Sequence, residues 1–470
     1  MSAIYIHIPF CLRKCFYCDF NSIPVGRIGG DGLVIEEIEV RMIARYVSAL
    51  CKEIEGWRKI LEDRDFSADS IYIGGGTPSL LNKDQTGNIL DTCRVIFGSK
   101  IQEITIEANP GTISSLSSKD YLWLGINRLS LGCQSFDNEE LKKLGRVYNG
   151  EDIYRSFELA KEAGFENINI DLIFGIPGQD SESFASSLQQ AISFGPQHFS
   201  LYNLSIEENT HFQHLLERGE LELPDEDEQI AMYEYGIKIL KEKGYEHYEI
   251  SNFALQGKRC WHNVNYWRGG EYLGFGAGAH SFASGLRSGG RGQESRGKER
   301  RVESSELRVK SSRTGVPPVS SPSPFHLSSG GGLRRELSRT VKVRGVRSNV
   351  IASHELVGRR SNLSGRRWWN LRDIEKYCEA LEKDNTVIEG EEELGESKFL
   401  SEAMMLGLRM IEGIDTKEFF KKHGVLIEER YEKEIEDLKR EGLLEFKRGR
   451  FRLTHKGVLF SNEVFLRFMA

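Results

Sequence analysis

Apolar positions recur along this chain with two different periods. Short continuous or alternating runs cover residues 4–8, 70–73, 103–107, 128–131, 167–174 and 199–203, and such runs read as strands. Between them the apolar residues return every three or four positions. Residues 43–61 carry Val47, Leu50, Ile54 and Trp57 on one face. A second helix starts at Asn82 or Asp84, either of which is a good cap, and runs through Ile89 and Leu90 to Phe97. Two more span 152–163 and 181–194. Strands alternating with helices imply βα units, a parallel sheet and right-handed crossovers. Six units suit a curved partial barrel, whose chemistry belongs at the carboxyl ends of the strands. Cys11, Gly74 to Thr77, Glu107, Gln134 and Asp171 are expected at those ends, which points to one shared site.

The later chain reads differently. A helix is expected over 225–243 and an extended stretch over 245–253, followed by an aromatic segment from Cys260 to Trp267. Helices are expected over 373–383, 398–408, 416–423 and 427–441, and residues 443–446 and 450–454 pair as a hairpin across Lys447 to Gly449. Three helices and a hairpin resemble a winged-helix module. The acidic run from Glu428 to Asp437 would repel phosphate, so a structural or lid role is expected rather than DNA binding.

With 470 residues the chain is long for one core, and two domains are expected. Hydrophobic residues make up 39% and charged residues 28%, the balance of a soluble globular protein, and no apolar run approaches the roughly 20 residues of a membrane span. No signal peptide is read at the N-terminus. Eight cysteines in a chain of this length are not a secreted disulfide framework; reduced and clustered, they point to a cytoplasmic protein. The net charge of −7 argues against nucleic acid as the main partner. Residues 288–367 stand apart, with 18 Lys and Arg against 6 Asp and Glu, a local +12 that leaves −19 for the remainder. Their Ser, Gly and Pro content offers too little apolar surface to offset ordering entropy, so this segment reads as a disordered insertion. A basic nucleic-acid or membrane arm is the alternative. The expected division is thus a barrel at 1–225, a packed extension at 226–287, the insertion at 288–367 and a C-terminal α+β module at 368–470.

Cys11, Cys15 and Cys18 lie within eight residues, directly after the first strand. Close thiolates select zinc or iron–sulfur clusters. A closed zinc site needs four ligands, and the next residues are Asp19 and Phe20. Zinc with a distant fourth ligand, or three unrelated thiols, is the alternative. The spacing Cys-x3-Cys-x2-Cys resembles the radical S-adenosylmethionine (SAM) superfamily. With Tyr5, His7, Pro9, Phe10, Phe16, Tyr17, Asp19 and Phe20 around it, the motif looks like the oxygen-independent coproporphyrinogen III oxidase group, and within it the haem-chaperone branch. The likeness covers nearly the whole chain outside the insertion.

The resemblance implies a [4Fe-4S] cluster on the three cysteines, with SAM chelating the open iron. It implies SAM contacts at Tyr5, Tyr17, Gly75, Gly76, Thr77, Glu107, Gln134, Arg146 and Asp171. Taken singly, the glycines could mark a mere turn, and the polar residues could be surface or salt-bridge groups. A carboxylate ending an apolar strand, as at Glu107, is costly to bury unpartnered, and Arg146 suits a bidentate carboxylate. The group commonly has His where Tyr148 stands, which puts any proton transfer there in doubt. His262, Asn263, Tyr266 and Trp267 match the HNxxYW signature of the chaperone branch and are its implied haem contacts; imidazole ligates haem iron, and Tyr and Trp offer flat apolar surface. The alternative is an aromatic segment packed beneath the barrel with His262 hydrogen-bonded. His7 is expected to bond the cysteine loop rather than a metal, and Cys51, Cys93, Cys133 and Cys378 carry no chemistry. Phe20, where the oxidase has a further Cys, and the short stretch before Cys11 favour a haem-binding protein that passes haem to an acceptor, for instance a membrane-associated respiratory haemoprotein. A radical enzyme acting on coproporphyrinogen is the alternative function.

Overall fold

The computed structural model describes residues 2–29, 32–61, 66–284 and 365–469. The expected insertion therefore lies almost wholly outside the described residues.

Six parallel strands form the expected partial barrel: β1 (Ser2–Ile8), β2 (Ser70–Gly75), β3 (Glu103–Ala108), β4 (Arg128–Gln134), β5 (Ile168–Phe174) and β6 (His198–Asn203), each paired in parallel with the next. Their helices are α1 (Glu37–Gly56), α2 (Lys83–Phe97), α3 (Ser115–Trp123), α4 (Gly150–Ala163) and α5 (Ser181–Ser193). Isoleucines and leucines from the strands and one face of each helix form a continuous buried core. Of the two candidate caps for α2, Asn82 is used: its side chain accepts from Gln85 N at 2.9 Å, and Gln85 Oε1 accepts from Asn82 N at 3.0 Å. The first helix begins at Glu37, six residues before the expected Ile43. That turn exposes Ile38 and Val40, so it carries no core-facing period to read. For the same reason α3 was absent from the pattern: it buries only Ser118 and Tyr121 and leaves Trp123 exposed.

The sheet does not stop at the sixth strand. β7 (Glu246–Glu249) and β8 (Asn252–Ala254), the expected extended stretch, fold back antiparallel beside β6. On the opposite side β9 (Glu271–Phe275) pairs in parallel with β1, and β10 (His280–Ser284), β11 (Gly365–Asn370) and β12 (Ile388–Leu394) continue antiparallel. The result is one twelve-stranded sheet. Residues 365–367, expected in the insertion, are instead the first half of β11. They are held by pairing on both sides, so the expected boundary at 367/368 falls inside a strand. Ser284 and Gly365 are direct cross-strand partners.

The expected helix over 225–243 is α6 (Glu226–Glu242), and between β8 and β9 lies the short helix α7 (Trp261–Trp267), made of the expected aromatic segment. After β11 come α8 (Ile374–Glu382), α9 (Glu396–Arg409) and α10 (Thr416–His423). The expected helix over 427–441 is broken at Tyr431, whose φ of −126° ends Ile427–Arg430 before Glu432–Arg440 begins. The expected hairpin, Leu444–Lys447 with Arg450–Leu453, gains a third strand, Ile414–Asp415. The module is tied to the sheet by buried charge. Arg367 on β11 meets Glu402 on α9 at 2.5 Å, and Arg409 faces Glu249 at 3.8 Å.

Candidate iron–sulfur and SAM site

The cysteine loop leaves β1 and returns beside it. Ile23 N donates to Pro9 O at 2.9 Å and Val25 N to Cys11 O at 2.7 Å, closing residues 12–22 into a noose. Phe16 pins the far side, donating to Leu144 O at 3.1 Å and accepting from Phe212 N at 2.9 Å. All three cysteines are half-buried free thiols. Burial and the neighbouring Cys15 push Cys18 up to about 12, and burial raises Cys11. Among the described residues no three Cys, His, Asp or Glu side chains converge as ligands of a single ion do. Three thiolates that each hold a separate iron of a cluster need not so converge.

Behind Cys11 runs a chain of polar contacts. Thr77 Oγ1 donates to Cys11 Sγ at 3.6 Å and accepts from Asn109 Nδ2 at 2.8 Å. Asn109 Oδ1 accepts from Arg146 Nη1 at 3.0 Å, and Arg146 Nη2 donates to the Tyr17 hydroxyl. The guanidinium also lies 5.6 Å from the ring centres of both Tyr17 and Tyr148. Its Nε is buried and makes no hydrogen bond. A half-buried cation with a buried, unused donor, in contact with the cysteine loop, suits a carboxylate ligand. Asn109 is not among the residues that the sequence pattern singles out. Its position after β3, level with Thr77, was the available signal.

The glycines are required chiefly by the chain itself. Gly75 has φ +108°, and a Cβ there would lie 2.5 Å from the His7 ring; at Gly76 it would lie 2.5 Å from Phe10 O. These approaches let Gly76 N reach Ile8 O at 2.8 Å and Thr77 N reach Phe10 O at 2.7 Å, locking the end of β2 to the cysteine loop. As expected, His7 holds that loop: Nε2 meets Asn21 O at 2.8 Å, while Nδ1 meets the Tyr5 hydroxyl at 3.0 Å.

Deeper in the barrel, Glu107 accepts from Tyr72 OH at 2.7 Å and from Gly75 N at 3.1 Å. Burial raises its carboxyl to about 7 against these bonds, and Asp171 adds to the rise. Asp171 is not at a strand end. It sits at the middle of β5, three residues before Phe174, accepting from Ser130 Oγ at 3.1 Å and Asn169 Nδ2 at 2.8 Å. Gln134 ends β4 with φ +68°, beside a register shift between Gly132 and Gln134. Non-glycine residues hold that conformation uncommonly, and such positions cluster at functional sites. Tyr148 donates to Gly132 O and is buried, so it braces this turn.

The HNxxYW residues lie elsewhere. α7 closes the amino end of the barrel, opposite the cysteines. His262 is 1% exposed, with Nδ1 3.0 Å from Ser70 Oγ and Nε2 3.0 Å from Tyr266 OH. Burial holds it neutral, down to about 3. Glu103 caps α7, accepting from Trp261 N and His262 N at 3.0 Å each. Asn263, Tyr266 and Trp267 are also buried. In this arrangement the segment is the packed floor of the barrel, with no ring nitrogen of His262 free.

Comparison with known proteins agrees with this architecture. The model of the radical SAM superfamily matches residues 5–191, and that of the HemN C-terminal domain matches residues 396–460. The Heme chaperone HemW of Bacillus subtilis (strain 168) is 30% identical over 471 aligned positions, covering 100% of this chain and 99% of its own length. The Heme chaperone HemW of Escherichia coli (strain K12) is 40% identical over 280 residues, 59% of this chain and 69% of its own. The solved structure of the radical SAM enzyme coproporphyrinogen III oxidase (HemN) from Escherichia coli superposes with a TM-score of 0.68 at 19% identity, covering 99% of this chain and 89% of that one, a likeness of fold. The superfamily's cofactors are SAM and a [4Fe-4S] cluster, and three thiols on a noose beside an arginine with a free donor fit them. Among the described residues no helix is long and apolar enough to cross a membrane. By whole-length similarity and by domain content, the chain belongs to the HemW family of the radical SAM superfamily.

Proposed function

We propose that this protein is a cytoplasmic haem chaperone that binds haem and hands it to an acceptor haemoprotein. The observation that carries the reading is the full-length similarity to proteins named heme chaperones, joined to Phe20 where the oxidase carries a further Cys. Cys11, Cys15 and Cys18 are the proposed cluster ligands. When bound, the cluster and SAM supply one-electron chemistry. The chain's own part is positional. Arg146, held by Asn109 and Tyr17, orients a carboxylate; Glu107 and Asp171, half-buried with raised carboxyls, accept from hydroxyl groups; Tyr5, Gly75, Gly76, Thr77 and Gln134 line the approach. His262, Asn263, Tyr266 and Trp267 are the haem contacts that the family resemblance suggests. For His262 to ligate iron through one ring nitrogen, the partner of that nitrogen, Ser70 at Nδ1 or Tyr266 at Nε2, would have to release it while the other bond could remain.

The test is a haem titration of the anaerobically reconstituted protein, with 5′-deoxyadenosine and coproporphyrinogen III conversion assayed in parallel. The expected result is about one haem per chain, since one such motif is present, and little or no protoporphyrinogen. Efficient conversion without saturable haem binding would replace this reading with the oxidase one.

A further inference from the structure

Arg128 is the first residue of β4 and stands opposite Thr105 of β3. Side chains alternate between the two faces of a strand. Leu129 and Leu131 belong to the core shared with the helices. Arg128 and Ser130 therefore face the barrel interior, where Ser130 Oγ meets Asp171 and Asn169. On β3 the same face carries Glu103, Thr105 and Glu107, because Ile104 and Ile106 belong to the core. Arg128 thus lies low in the barrel, between Glu107 and the floor formed by α7.

The residue is 2% exposed, and its Nε is buried without a hydrogen bond. Among the described residues its guanidinium is in no hydrogen bond and no ion pair. A charge buried in that state is strongly destabilising. Glu103 acts on it only from beyond ion-pair distance. That carboxylate is engaged by Trp261 N and His262 N at 3.0 Å each and by Cys260 Sγ at 3.5 Å.

The haem contacts that the family resemblance suggests have the opposite lack. His262, Asn263, Tyr266 and Trp267 bring no positive charge, since burial and then Arg128 hold His262 neutral, whereas haem carries two propionates. Cations beside the helix are already paired: Arg259 with Glu246 at 2.5 Å, Arg268 with Glu412 at 3.0 Å and Arg409 with Glu249 at 3.8 Å. A buried carboxylate needs a cation, and Arg128 needs an anion.

We infer that Arg128 receives one haem propionate, so that the barrel floor recognises the carboxylates of the cargo while α7 recognises its ring and iron. The inference rests on the haem-binding reading above and deepens it. The propionate reaches inward past α7, and the guanidinium fork takes both of its oxygens. Until it arrives, the unpaired charge lowers the stability of the haem-free protein, the usual consequence of a group kept for binding.

The experiment is a Soret titration of the full-length reconstituted protein with haem and with haem dimethyl ester, whose propionates are uncharged, in wild type, Arg128→Met and Arg128→Lys. Wild type should bind haem about ten-fold or more tighter than the ester, the worth of one charge-assisted pair. Arg128→Met should lose that preference by weakening haem alone, with ester affinity held within about two-fold. The Soret position should not move, because the axial ligand is untouched. Arg128→Lys should regain part of the preference, as a point charge without the fork. Without haem, Arg128→Met should melt about 1–5 °C above wild type, because an unpaired buried charge is gone. Equal weakening of haem and ester in Arg128→Met, with a lower melting temperature, overturns the assignment and marks Arg128 as structural. A wild type that does not distinguish the two ligands overturns it as well. Both results leave the chaperone reading standing, whereas a wild type that binds no haem defeats that reading itself. Should Arg128→Met not fold, Arg128→Gln takes its place with the same expectation for ligand preference.

Discussion

Glu53 links the first helix to the chain beyond the insertion, and its titration should be visible in the stability of the protein. It is buried on α1, accepting from Gly276 N at 2.9 Å, Tyr377 OH at 2.5 Å and Asn370 Nδ2 at 2.6 Å. Burial raises its carboxyl to about 7 from an ordinary 4.5, against the pull of those three bonds. The folded state thus holds the proton more tightly than the unfolded chain. The associated stability is complete below about pH 4.5 and is lost as pH rises through about 7. At ~1.4 kcal/mol per unit, the full span is about 3 kcal/mol, of which about 2 kcal/mol falls between about pH 5.5 and pH 8. Glu53→Gln removes this titration and leaves the other buried carboxylates to cancel in the comparison. Unfolding entropy of about 2.1 cal/mol/K per residue over the roughly 380 described residues gives about 0.8 kcal/mol/K, so 2 kcal/mol corresponds to about 2–3 °C. The assay is calorimetry of wild type and variant at both pH values. The wild type should lose about 2–3 °C relative to Glu53→Gln on going from the lower to the higher pH. Parallel curves for the two proteins would refute the buried, raised carboxyl.

Two further outcomes are expected. Replacing any one of Cys11, Cys15 or Cys18 with Ala should abolish iron–sulfur absorbance after anaerobic reconstitution; stoichiometric zinc, with no iron or sulfide taken up by the wild type, would sink the cluster. Exchanging residues 285–364 for an Asn-Gly turn should leave cluster content unchanged and the melting temperature within about 1–2 °C, because Ser284 and Gly365 already face each other; a large loss of stability would show that the excised stretch is packed structure.

Much of the barrel could be read from the sequence because its strands are buried on both faces and its helices on one, which leaves two clean periods. The cysteine loop, the glycines after β2 and Glu107 were legible because spacing and chemistry coincide there. What escaped had no local signature. α3 buries a Ser and a Tyr rather than a stripe of aliphatics. β10 to β12 join the main sheet through pairings that span the insertion. Tyr72 and Asn109 enter the site only because β2 and β3 lie side by side. Asp171 reads as a strand-end carboxylate until the register places it in mid-strand. His262 stands out in its motif yet is tied at both nitrogens, which only the packing around it reveals.

The facing pair Ser284 and Gly365 makes the open end of the β10–β11 pair a natural port for cargo. Whatever is threaded between them enters and leaves at neighbouring points, so its length places no tension on the strands that carry it. A fluorescent domain spliced there would ride on β10 and β11, whose Phe282 and Arg367 share a cavity with Tyr266 and Trp267 of the HNxxYW segment. Quenching of that domain by bound haem would turn the protein into its own reporter of loading and release, readable in a living cell without touching the cysteine loop.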